Sequence, residues 1–67
     1  MGEFEKLYEK YKQDVTNYLY FLTKDVQLTQ ELLQETFLKA SIGIIAFHSK
    51  SSIKTWLFSI AKNCYLD

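Results

Sequence analysis

The sequence predicts an all-α fold, a compact three-helix bundle formed by one small domain of 67 residues. The chain holds no proline and two glycines, so the residues that most often interrupt helices are nearly absent. Apolar residues make up 48% of the chain, which argues against disorder. They recur at steps of three and four, and no useful length alternates with the period of two typical of strands. Three amphipathic helices should therefore bury their apolar stripes against one another.

The first helix is predicted over residues 3–23. Apolar side chains at helical spacing lie on one side of it, and the other side is polar and charged. We expect the apolar side to face the core. Its members are Phe4, Leu7, Tyr8, Tyr11, Val15, Tyr18, Leu19 and Leu22.

The second helix is predicted over residues 26–46, with Asp25 as its N-cap. An aspartate at this position accepts hydrogen bonds from the open N–H groups of the first turn. Gly43 should weaken the last turn, because glycine is a poor helix former. The inward positions are Leu28, Leu32, Leu33, Phe37, Ala40 and Ile44.

The third helix is predicted over residues 52–67, after a polar loop at 47–51 that lacks helical rhythm. Ser51 or Ser52 should cap its start. The pattern continues to the last residue, so we expect a fragment of a longer protein. The inward positions are Ile53, Trp56, Leu57, Ile60, Ala61 and Cys64.

A second surface on the second helix is not needed for the core. Residues 31, 34, 35, 38 and 42 share it by i+3 and i+4 spacing, so Glu and Gln surround Leu38 and Ile42. A polar rim around an apolar centre is typical of a protein–protein contact. The alternative is a broad core stripe in which Glu35 pairs with Lys39. The spacing alone leaves both interpretations open.

The C-terminal third is a candidate surface for a polyanion. The net charge is zero, but residues 47–67 hold Lys50, Lys54 and Lys62 against only Asp67. Lysines and hydroxyls at a helix start can hold phosphate, and Phe47 and Trp56 can add an aromatic wall. The alternatives are ordinary capping by serine, a core role for Trp56 and a solvated lysine face.

The composition gives little support to catalysis or to a cofactor. One His and one Cys cannot complete a tetrahedral metal site, and no glycine loop of the nucleotide-binding kind occurs. The single cysteine excludes an intrachain disulfide. No signal peptide or membrane-spanning run is apparent, so we expect a cytoplasmic protein. Because the motifs of catalysis and nucleotide binding are missing, we also expect that the protein is not an enzyme.

Two strings of residues carry a resemblance to a known family. They are Gln34–Ala40, QETFLKA, and Thr55–Asn63, TWLFSIAKN. In this order and at this separation they resemble region 2 of bacterial sigma factors of the extracytoplasmic-function type. The resemblance extends over essentially the whole chain, and it implies a transcription-initiation domain with a three-helix bundle of the sigma region 2 type.

The resemblance also implies two binding surfaces. In the family, the second helix docks on the clamp helices of the RNA polymerase β′ subunit. The matching positions here are Glu31, Gln34, Glu35 and Leu38.

The loop and third helix of the family recognise the promoter minus-ten element and hold a flipped base of the non-template strand. This implies DNA contacts from the loop and from polar positions of the third helix. The matching positions are His48, Lys50, Ser51, Ser52, Lys54, Thr55, Trp56, Lys62 and Asn63.

Departures from the family pattern bear on the loop and on the working protein. Ser49 stands where glycine is frequent. The family's basic stretch and second domain follow region 2, so we expect them in the longer protein of which this sequence is a fragment. The resemblance implies an anti-sigma factor as a further partner and location at the nucleoid. Self-association of the fragment is a further expectation. The runner-up interpretation is a helical protein-interaction module that does not bind DNA.

Overall fold

Helix α1 spans Glu3–Thr23 in the computed structural model, which describes residues 2–44 and 52–67. Lys24 follows Thr23 as the C-cap of the helix. It adopts the left-handed conformation with φ 56° and donates its N–H to the Tyr20 carbonyl at 2.8 Å. A left-handed residue at this position reverses the chain direction and closes the last turn. The connection to the next helix is therefore very short.

Helix α2 spans Val26–Gly43 and begins at the predicted cap. The Asp25 carboxylate accepts from the Leu28 N–H at 2.9 Å, which confirms its role as N-cap. The helix was predicted to reach residue 46; its α-helical part ends at Gly43, and Ile44 follows in a 3₁₀ turn. Residues 45–51, and with them the predicted loop, lie outside the described residues.

Helix α3 spans Ile53–Leu66. Of the two predicted caps, Ser52 takes the role, because its hydroxyl accepts from the Thr55 N–H at 3.1 Å. An N-cap serine stabilises a helix by about 1 kcal/mol relative to alanine. The cap also fixes the position of Thr55 at the start of the helix.

The three helices of the described ranges each pack against the other two. Phe37 of α2 makes edge-on ring contacts with Phe4 and Tyr8 of α1, at 6.3 and 4.9 Å between centroids. The fully buried side chains come from all three helices, as the apolar spacing predicts. The apolar core consists of Leu7, Val15, Leu19, Leu32, Leu33, Phe37, Ala40, Leu57, Ala61 and Cys64. The all-α three-helix prediction is confirmed.

Leu28 is a correction to the predicted core. It is 40% exposed, whereas Thr29, the next residue, is 2% exposed. Leu28 lies at the edge of the apolar stripe in the first turn of α2, so the turn from α1 does not cover it. Thr29 takes the inward position, and its hydroxyl is satisfied by the Thr23 hydroxyl at 2.7 Å.

Candidate functional site

The outward face of α2 lies opposite the side that packs in the core. Leu38 is 62% exposed and Ile42 is 74% exposed, so neither belongs to a broad core stripe. Glu31 and Gln34 are exposed beside them, and Glu35 is half-buried. The structure therefore brings the four predicted polymerase-binding residues onto one solvent-facing surface, which we call the α2 outward face, together with Ile42.

The two borders of the α2 outward face differ in chemistry. On the α1 side, a shallow apolar groove is lined by Phe4, Tyr8, Gln34, Phe37, Leu38 and Ser41. On the α3 side, Glu35 pairs with Lys39 at 3.2 Å, as the alternative interpretation predicted. Both partners of this pair are nearly half exposed, so it contributes little to stability. The face thus has an apolar border and a charged border.

Cys64 lies buried behind the charged border. Burial is the largest influence and raises the pKa of its thiol above the ordinary value of 9.0; a contact with Thr36 opposes this shift, and the nearby Glu35 carboxylate reinforces it. The hydrogen bond that the Lys39 ammonium group donates to the Glu35 carboxylate is in turn the largest influence that raises the pKa of Lys39. Cys64 is therefore a buried, inward-facing side chain, as expected of a small apolar core residue.

The predicted DNA-binding residues fall into three groups. His48, Lys50 and Ser51 lie outside the described residues. Ser52 is committed to the α3 cap. The rest project from α3, where they do not form a single cluster. These are Lys54, Thr55, Trp56, Lys62 and Asn63.

Lys54, Thr55 and Lys62 come together in a groove between α1 and α3, whose other lining residues are Tyr18, Phe58 and Ser59. Asn63 is exposed but is not part of this groove. Helical geometry places it about 100° around α3 from Lys62. The third helix therefore presents a lysine and hydroxyl groove and, beside it, a single amide.

Trp56 is half-buried and packs toward α2. A Cβ atom on Gly43 would come within 3.1 Å of its indole ring, so glycine at this position gives the ring its space. This contact agrees with the alternative of a core role for Trp56. It also gives Gly43 a packing role that its low helix propensity conceals.

Three residues at or beside the groove between α1 and α3 were not predicted from the sequence to belong to a binding surface. Tyr18 was assigned to the core, and Phe58 was left unassigned, yet their rings lie 4.8 Å apart in the groove between α1 and α3. Asp14, which belongs to the polar side of the first helix, lies 3.4 Å from the Lys54 ammonium group. Spacing within one helix shows only that Phe58 lies beside Lys54 and that Tyr18 lies beside Asp14, four residues apart in each case. It does not show that the two pairs meet.

Neither a metal centre nor a membrane span is indicated by the described residues. Across 2–44 and 52–67, no three His, Cys, Asp or Glu side chains gather as a metal site would require. Among the helices in these ranges, none combines the length and apolar character needed to cross a bilayer.

Comparison with known proteins identifies the family. The profile of the family described as Sigma-70 region 2 matches residues 7–67. The chain is 44% identical over 64 residues to the ECF RNA polymerase sigma factor SigM of Bacillus subtilis, covering 94% of this chain and 38% of that protein.

Two further relatives from Bacillus subtilis are also named as sigma factors. The RNA polymerase sigma factor YlaC is 40% identical over 94% of this chain and 36% of its own length. The ECF RNA polymerase sigma factor SigX is 39% identical over 96% of this chain and 33% of its own length. The chain thus spans 33–38% of the length of these relatives, and no solved structure matches it. The match over 7–67 shows that this chain belongs to the sigma-70 region 2 family, with relatives of the ECF type.

Proposed function

We propose that this chain is the part of a sigma factor that binds the RNA polymerase core through the α2 outward face and promoter DNA through α3. Membership of the sigma-70 region 2 family supports a role in transcription initiation. The observation that carries the division of labour is the exposure of Leu38 and Ile42 on the side of α2 that faces away from the core. In this role the domain is not an enzyme.

The α2 outward face suits a helical partner such as the β′ clamp helices. Burying one leucine or isoleucine side chain yields about 1.5–3 kcal/mol, so Leu38 and Ile42 can form the apolar centre of a contact. Glu31 and Gln34 beside them offer oxygen acceptors to basic and polar groups of the clamp. An apolar centre with a polar edge is the usual anatomy of a specific interface.

The third helix suits the backbone of a melted promoter strand. Lysine and hydroxyl side chains contact phosphate oxygens and position the protein on the strand without reading its sequence. Lys54, Thr55 and Lys62 supply these groups from one groove, and Asn63 supplies an amide that both donates and accepts. Holding a flipped base costs a few kcal/mol, which such contacts must offset.

Other partners follow from the same surfaces. An anti-sigma factor that covered Leu38 and Ile42 would compete with the clamp, and a second copy of the chain could meet the same exposed apolar centre. We propose an anti-sigma factor and a second copy of the chain as further partners of this surface. The site of action is the cytoplasm, at the nucleoid, where polymerase and promoter DNA meet.

The experiment that tests the DNA assignment separates it from a module that binds only protein. Lys62→Ala and Asn63→Ala variants should hold a fluorescent single-stranded promoter oligonucleotide more weakly, and Lys62→Ala should lower the salt slope of log K by about 0.7. Capture of core polymerase should be unchanged. Lys12→Ala, a lysine exposed on α1, is the control with the same charge change. Oligonucleotide binding equal to wild type in both α3 variants would favour the protein-only module.

A further inference from the structure

Two contacts join α1 and α3 along the groove between them. Asp14 on α1 faces Lys54 on α3, and four residues further along both helices Tyr18 faces Phe58. A step of four residues in one helix thus meets a step of four in the other, so α1 and α3 run in the same direction. The centroids of the Tyr18 and Phe58 rings lie 4.8 Å apart, and the ring planes are tilted by 36°.

The Asp14–Lys54 contact is loose and open to solvent. The oxygen and nitrogen lie 3.4 Å apart, and the side chains are 49% and 51% exposed. Exposed ion pairs of this kind are weak because water screens both charges. A phosphate oxygen at ordinary hydrogen-bond distance from Lys54 could therefore displace the carboxylate at small cost.

The rest of the groove offers what a nucleotide requires. Thr55 and Ser59 place hydroxyls between Lys54 and Lys62, which are separated by about 12 Å along the helix axis at a rise of 1.5 Å per residue. Within the described residues Lys62 has no salt-bridge partner. The Phe58 ring provides an apolar wall for a sugar or base.

We infer that this groove receives a phosphate of single-stranded DNA at Lys54, and that Asp14 occupies Lys54 in the absence of DNA and competes with that phosphate. The inference rests on the proposed DNA binding by α3 and adds a residue of opposite sign to it. Asp14 is thus an intramolecular competitor that lowers the affinity of the domain for DNA. No other acidic side chain in the described ranges forms a salt bridge with an α3 lysine.

Asp14→Asn tests this inference because it removes the charge and keeps the size of the side chain. The variant should bind a single-stranded oligodeoxynucleotide about two- to fivefold more tightly than wild type, the range expected when an exposed ion pair no longer competes. Fluorescence anisotropy measures the affinity, and circular dichroism confirms the helical content. Glu9→Gln, an exposed acid on the same helix, makes the same change in net charge outside the groove.

The outcome depends on Lys54. The gain from Asp14→Asn should exceed that from Glu9→Gln and should vanish in a Lys54→Ala background. An equal gain from both acids, or a gain that persists without Lys54, would overturn the inference while leaving the proposed function intact. Wild-type affinity in the Lys54→Ala and Lys62→Ala single variants would instead overturn the proposed DNA surface and the inference with it.

Discussion

The hydroxyl oxygens of Thr23 and Thr29 lie 2.7 Å apart where α1 turns into α2. Thr29 is 2% exposed, so its hydroxyl depends on this partner. The bond spans the corner that Lys24 and the Asp25 cap create. It therefore helps to set the angle at which α2 leaves α1.

Replacing Thr29 with valine should lower the free energy of unfolding by about 1 kcal/mol, because the shape is kept and a hydrogen bond between two hydroxyls is lost. Urea denaturation followed by circular dichroism measures the change. Thr16→Val is the matched control, since the Thr16 hydroxyl bonds its own helix at the Lys12 carbonyl on the exposed side. Equal effects of the two substitutions would show that the Thr23–Thr29 contact does not hold the corner.

The left-handed residue at the end of α1 is a lysine, although glycine has no steric penalty in this conformation. The left-handed conformation costs a non-glycine residue about 1–2 kcal/mol, and glycine loses more backbone entropy on folding. Lys24→Gly should therefore raise the free energy of unfolding by about 0.5–1 kcal/mol net. Thermal and urea unfolding are the measurements.

Lys24→Ala is the control for this prediction, because it also removes the contact of the Lys24 ammonium group with the Phe21 ring at 4.9 Å but retains the backbone strain. It should not stabilise the domain. A glycine variant no more stable than the alanine variant would mean that strain at Lys24 is not a factor in stability.

The buried thiol of Cys64 predicts a dependence of stability on alkaline pH. Because folding raises its pKa above 9.0, the folded state retains the proton to a higher pH than the unfolded state does. Its contribution to stability is complete well below pH 9.0 and is lost as pH rises toward the folded-state pKa.

Comparison of wild type with Cys64→Ala isolates this contribution, because the tyrosines and lysines titrate in both proteins. The difference in the free energy of unfolding between the two should be constant near neutral pH and should shrink above pH 9.0. Urea titrations at a series of pH values measure it. A difference that stays constant into the alkaline range would contradict a raised thiol pKa.

Much of the fold follows from spacing and capping chemistry in the sequence. The inward residues of α3 and the caps at Asp25 and Ser52 are local features, and the structure confirms them. The prediction that Leu28 lies in the core was wrong, because periodicity does not show which edge of an apolar stripe a neighbouring helix covers. Its burial depends on how α1 ends and α2 begins, which is a tertiary property.

The candidate site was predictable in part for the same reason. The α2 outward face is a single helical surface, so i+3 and i+4 spacing brought its members together. Spacing within one helix does not predict contacts between different helices. Asp14 with Lys54 and Gly43 with Trp56 each join residues from different helices, and only the packing shows that they meet.

Leu38 and Ile42 form the apolar centre of the proposed contact with core polymerase. The double variant Leu38→Ala/Ile42→Ala should keep its helical content, because both side chains are largely exposed. Leu66→Ala provides the control, since Leu66 is 65% exposed against 62% for Leu38 and lies on α3.

The most direct measurement is the affinity of these variants for RNA polymerase core, obtained by titrating fluorescently labelled chain with core enzyme. Truncating the centre of an interface weakens binding by about 2 kcal/mol or more, so the double variant should bind at least about 30-fold more weakly than wild type. Leu66→Ala should bind like wild type. A double variant that binds core polymerase as tightly as wild type would contradict the assignment of the α2 outward face.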